Sequence, residues 1–316
     1  MTSRWLNAAL LAACCLVSSA IAAPAEERPD IPFAPIEDPT IKDPDNPVKQ
    51  FRVDMARVEA EFPLTREHLM RITPENVLNL TQEELDQLYG RLTAGPIPDG
   101  QHAGSLVFAR GDRITPESGL SSRLQQILGG IPGRIAGGGI EFLEEIGRDL
   151  WKGKVFFRSE GILRNMIDDT PGIRLITEGD HSTVMKTTVP REGRLRRFFR
   201  DTVWLLFPAK VHCGQSLLDG RRESIVVDYN YTDEIAGYRA GPDSLAGRGG
   251  LRIRDEIRMI RPGFYLGRAY TNRIFLLNFI LYREDVADAA EAQFAAGAPV
   301  NGDCWDGEQG RKAPPP

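Results

Sequence analysis

The chain has 316 residues, 41% of them hydrophobic and 26% charged, with a formal net charge of −5. That length buries a substantial core in one large domain or two small ones, and the ordinary composition excludes wholesale disorder and a multi-span helical membrane protein. A mildly acidic chain lacks the basic face expected of a general nucleic-acid binder, so no nucleic-acid partner is expected.

Arg4 supplies a short positive n-region, Trp5 to Ala20 is almost entirely apolar, and Ala20 and Ala22 give an A-x-A pattern before Pro24. Residues 1–23 read as a signal peptide cleaved near Ala22, and the apolar run is short for a membrane anchor. The expected destination is the periplasm or the cell exterior. Leu11-Ala12-Ala13-Cys14 also resembles a bacterial lipobox, which would leave a lipidated Cys14 at a new N-terminus; its early position favours soluble export. After cleavage Cys213 and Cys304 remain, and in an oxidising compartment two cysteines suggest one disulfide. A metal site from His212 and Cys213 is the alternative. Adjacent strand residues point to opposite faces, so no metal is expected.

Residues 24–49 are rich in Pro, Asp and Glu and read as an extended linker. Residues 50–95 read as a helical subdomain. Phe51, Met55, Val58 and Phe62 recur at helical spacing, Thr65 caps a second helix and Thr73-Pro74 opens a third segment. Thr81-Gln-Glu-Glu84 then gives a capping box ahead of Leu85, Leu88 and Leu92. A β-barrel domain over 100–285 begins with a strand at 100–109 and carries a helical insertion at 119–150. The Gly-rich run 129–139 within that insertion lacks a Gly-Lys-Ser/Thr ending, and reads as a helix break rather than a phosphate loop.

Strands are expected at 150–157, 173–177 and 182–189, and then in close succession through 209–217, 223–231, 251–260, 263–270 and 273–282. Between them Arg191 to Arg200 mixes basic and aromatic residues; a solvated loop or short helix is one reading, and peripheral membrane contact the other. Residues 286–316 read as a C-terminal helix and a disordered tail. The expected class is α+β, dominated by an antiparallel barrel with helical decoration.

Alternation along the strands marks polar residues on apolar faces. Asp255 shares a face with Leu251, Ile253, Ile257 and Met259, whereas Arg252, Arg254, Glu256 and Arg258 share the other. Asn278 falls in line with Ile274, Leu276 and Ile280, and Lys154 and Lys210 are basic residues at matching strand starts. Lys154, Asp228, Tyr229, Asp255, Tyr265 and Asn278 form the candidate ligand-binding set, an apolar cavity with a few orienting polar groups. A salt-bridged structural network is the plainer reading of Asp255. Asp228 and Asp255 are the candidate acids for catalysis. No Gly-x-Ser-x-Gly elbow, His-Glu-x-x-His helix or cofactor motif is present in the sequence, so no cofactor is expected.

In order and motif the chain resembles the GXWXG family and the domain of unknown function that follows it. The matching residues are Gly100-Gln-His-Ala-Gly104, Trp151-Lys-Gly-Lys-Val-Phe156, Val227-Asp-Tyr229 and the meander from Arg254 to Tyr282. His102 stands where the pattern has Trp, and the 119–150 insertion is foreign to it. The resemblance implies a small calycin or lipocalin-like barrel and brings no activity. Three functions follow as expectations: a periplasmic barrel binding an apolar or lipid-like small molecule, an enzyme acting on such a molecule, and an envelope structural protein with a filled barrel.

Overall fold

The computed structural model describes residues 27–35, 53–111, 150–170, 185–190 and 200–307. Among them nine strands make one antiparallel sheet: β1 (Gly100–Val107), β2 (Trp151–Phe157), β3 (Ile162–Asp168), β4 (Lys186–Pro190), β5 (Arg200–Gln215), β6 (Glu223–Asp228), β7 (Ile253–Arg261), β8 (Phe264–Thr271) and β9 (Ile274–Tyr282). β9 pairs with β1, and β3 pairs with β5, so eight strands close into a barrel in simple chain order while β4 is carried outside on β5. Closure removes the free edges, and eight strands leave an interior wide enough for side chains or one small ligand. The α+β, calycin or lipocalin-like barrel expected from the sequence is the architecture found.

Five α-helices among the described residues decorate it: α1 (Met55–Glu61), α2 (Arg66–Met70), α3 (Gln82–Arg91), α4 (Ala240–Asp243) and α5 (Glu284–Ala295). The capping chemistry is local and explicit. The Thr81 hydroxyl accepts from the Glu84 N–H, and the Glu84 carboxylate accepts from the Thr81 N–H, so α3 starts with two of its orphan donors satisfied. Leu85, Leu88 and Tyr89 of α3, with Ile72, Val77 and Leu80, pack against Val107, Ile260, Phe264, Leu266 and Ile280 on the barrel's outer wall. The segment 27–35 has no regular secondary structure and docks on the same helix, Ala34 exchanging two hydrogen bonds with the Gln87 side chain at 2.9 and 3.1 Å.

That cover changes the meaning of the charged face of β7. Glu256 and Arg258 are fully buried rather than solvated. Arg258 donates to the Ser224 hydroxyl at 3.0 Å and to the carbonyls of Tyr89, Asp219 and Arg222 at 3.1 Å each. Glu256 accepts from the Leu217 N–H at 3.0 Å and from Arg254 Nε at 3.1 Å. Alternation reports which residues share a face, and nothing about what lies over it.

Cys213 and Cys304 form a disulfide with 5.3 Å between their Cα atoms, which pins the tail to β5. Trp305 and Glu223 tighten the same junction with hydrogen bonds at 2.9 and 3.0 Å. Two strand expectations need correction. β3 lies where no strand was expected, because Arg164, Asn165 and Met166 break the apolar alternation. β5 begins at Arg200 rather than Ala209, a 16-residue strand that includes Pro208. The signal segment, residues 36–49, the insertion 119–149, the strand at 173–177, residues 191–199 and the tail 308–316 lie outside the described residues. Among those described, no helix is long and apolar enough to cross a membrane.

Candidate functional site

The barrel interior has two halves with different contents. At the end where β1 and β5 meet the tail, aromatic rings fill the space. His102 packs edge-on against Phe156 at 5.5 Å and Tyr265 at 6.0 Å between ring centroids, and the Tyr265 hydroxyl donates to the Pro96 carbonyl at 2.9 Å. Burial lowers the His102 pKa to about 4, so the ring is neutral.

The opposite end holds a cavity of about 150 Å³. Leu106, Trp151, Ile167, Ile253, Leu277 and Phe279 wall it with apolar surface, and small residues at Ala246 and Ala269 leave the space open. Ala246 belongs to the connection from β6 to β7, which folds over this end through a 3₁₀ turn at Tyr229–Glu234 and α4. The connection is tied down by Asp243, whose carboxylate accepts from the N–H groups of Phe207 at 2.6 Å and Arg239 at 2.8 Å. Phe207, which also lines the cavity, has φ of 51°. A bulky residue rarely adopts that conformation, and here a β-bulge and the Asp243 anchor hold it there.

At the cavity wall four polar side chains converge, Lys154 from β2, Asn165 from β3, Asp255 from β7 and Tyr229 from the start of the 3₁₀ turn. Lys154 Nζ on β2 donates to Asn165 Oδ1 at 2.8 Å, the Tyr229 hydroxyl at 2.7 Å and Asp255 Oδ2 at 2.9 Å. Asn165 Nδ2 donates to the Tyr229 hydroxyl at 2.9 Å and to the Phe207 carbonyl at 3.1 Å, and Trp151 Nε1 donates to Asn165 Oδ1 at 3.0 Å. The Tyr229 hydroxyl donates to Asp255 Oδ2 at 3.2 Å. The Lys154 ammonium also lies 5.4–5.5 Å from the ring centroids of Trp151, Tyr229 and Phe279. Burial and the neighbouring Asp255 charge push the Tyr229 phenol well above its ordinary range, which keeps it a neutral donor. Lys154 and Asp255 are 3% and 6% exposed at their side chains, so water screens this pair little.

Backbone sterics place the two β2 residues. Gly153 has φ of 124°, and a Cβ there would lie 2.1 Å from the His102 carbonyl oxygen. The bulge between Trp151 and Gly153 turns both Trp151 and Lys154 toward the interior. Gly104 leaves room for the indole, since a Cβ on it would meet Trp151 at 2.4 Å.

The structure thus brings Lys154, Tyr229 and Asp255 together and separates the other candidates. Asp228 faces the other way and accepts from the Asn230 N–H at 2.9 Å as the cap of the 3₁₀ turn, so the paired-acid arrangement with Asp255 is not formed. Asn278 is buried under α3, donating to Gln82 at 2.9 Å, because the β8–β9 bulge near Tyr270 shifts the inward set to Leu277, Phe279 and Leu281. Tyr265 is interior but belongs to the filled half. Lys210 is on the surface, paired with Glu234 at 2.5 Å. Asn165 and Trp151 are the residues sequence reasoning missed. A lone Asn between Leu163 and Ile167 was the available signal, legible only once β3 is known to be a strand.

No family model, no curated protein and no solved structure matches this chain, so the site is read from its own geometry.

Proposed function

We propose that this chain is an exported β-barrel protein that binds one small, largely apolar molecule, or the apolar end of a longer one, at the capped end of its barrel. The cavity carries the reading. About 150 Å³ of largely apolar space, walled by Leu106, Trp151, Leu277 and Phe279, is kept open at this end of the barrel. The His102 end of the same barrel is filled with aromatic rings, so the open apolar space at this end is a local feature that a purely structural barrel does not need. A cavity of this size accommodates a molecule like benzene. The signal-peptide pattern and the disulfide favour an oxidising compartment, and the GXWXG resemblance supports a barrel without adding a ligand.

The direct test is Ala269→Leu, which fills the cavity from its wall with about three extra carbons. Toluene is expected to bind the unaltered protein in a calorimetric titration and not the variant. The variant itself is expected to gain roughly 1–2 kcal/mol of stability if the leucine finds an unstrained rotamer. Absence of toluene binding to the unaltered protein, or undiminished binding to Ala269→Leu, refutes the assignment.

A further inference from the structure

The polar cluster at the cavity wall is almost completely satisfied by itself, and the exception points to a ligand chemistry. Lys154 has three N–H donors, and all three are used by Asn165, Tyr229 and Asp255. Asn165 spends both amide hydrogens and both oxygen lone pairs within the cluster and on the Phe207 carbonyl. Tyr229 accepts twice and donates once. Asp255 Oδ2 takes two of these donors. Its other oxygen, Oδ1, has no partner among the described residues and is not sealed off from accessible space, on a residue that is 4% exposed and lines the cavity.

We propose that the ligand is a neutral molecule of about benzene's size carrying one O–H or N–H donor, which it gives to Asp255 Oδ1. This rests on the binding function proposed above and narrows it. Lys154 does not recruit an anion, because its donors are taken and a carboxylate in the cavity would face the Asp255 oxygen. The ammonium instead holds the carboxylate in place and balances its charge. The aromatic walls receive the rest of the ligand, and its donor pairs with the one carboxylate oxygen that the cluster leaves unused.

The test is a titration of the full mature protein with size-matched probes: toluene, phenol, benzonitrile, benzoate and benzylammonium. Phenol is expected to bind at least about tenfold tighter than toluene, as a hydrogen bond to a charged acceptor supplies. Benzonitrile, which only accepts, gains nothing over toluene, and benzoate binds weakest. Equal affinities for phenol and toluene, or tighter binding of benzonitrile, benzoate or benzylammonium than of phenol, overturn the donor assignment while leaving small-molecule binding intact. If no probe binds, both fall. Asp255→Asn gives a second readout: its amide oxygen accepts from Lys154 and Tyr229, its NH₂ turns to the cavity, and the preference passes from phenol to benzonitrile. An unchanged preference in a folded Asp255→Asn protein also overturns the proposal, and the unaltered protein decides the matter alone if that variant does not fold.

Discussion

Replacing Lys154 by Met tests how the barrel tolerates its interior charge. Methionine keeps the length and apolar stem of lysine but removes the ammonium and its three hydrogen bonds, at 2.7, 2.8 and 2.9 Å. Asp255 then has one remaining donor, Tyr229, and no counter-charge, at a side chain 6% exposed. Breaking a buried pair by removing one partner costs about 3–5 kcal/mol, because the surviving charge is left uncompensated. Removing both charges is far milder, so Lys154→Met/Asp255→Leu is expected to recover more than half of the loss. Equilibrium urea unfolding followed by tryptophan fluorescence measures all four corners of this cycle, and Trp151 within the cluster supplies a local signal. A single-variant loss below about 1 kcal/mol, or a double variant as unstable as the sum of both singles, would refute a tightly coupled interior pair.

Two further outcomes follow from the same physics. His102 is held neutral by burial, with its pKa lowered to about 4 against an ordinary value near 6.5. Its contribution is therefore fully present above about pH 6.5 and is lost as pH falls toward about 4, amounting to roughly 3 kcal/mol at most. Midpoints of unfolding measured across that range should fall less steeply in His102→Gln; an unchanged slope contradicts a neutral buried imidazole. The Cys213–Cys304 bridge closes a separation of 91 residues, for which the chain-entropy model gives about 4.5 kcal/mol. Replacing both cysteines by serine should lower stability by up to that amount and expose the peptide bonds around Trp305 to protease. A variant as stable and as protease-resistant as the parent contradicts the clamp.

Much of this fold was legible because short-range chemistry and alternation agree with it. The capping box at Thr81 and Glu84, the disulfide partners, the meander from β7 to β9 and the inward direction of Asp255 all follow from local pattern. What the sequence hid falls into three physical kinds. Bulges reset the face of a strand, which moved Asn278 from the interior to the α3 interface and brought Leu277 inward. An Asp side chain accepts from the N–H two residues on and so caps a turn as readily as it extends a strand, which took Asp228 away from Asp255. Cover by another element is invisible to periodicity: alternation puts Arg254, Glu256 and Arg258 on one face of β7 but does not reveal that α3 and its neighbours bury Glu256 and Arg258 there. The site was half visible for the same reason. Lys154, Tyr229 and Asp255 stand out as polar residues on apolar faces, whereas Asn165 lies in a strand whose alternation is broken on both sides.

The central claim is that the capped end of the barrel is a binding cavity. Native mass spectrometry of the protein purified from its own host tests it most directly, with Ala269→Leu prepared in parallel. The account predicts a small neutral adduct on the parent protein, released on unfolding and absent from the filled variant. A parent protein that carries no adduct and binds none of the aromatic probes, or an adduct retained by Ala269→Leu, would contradict it.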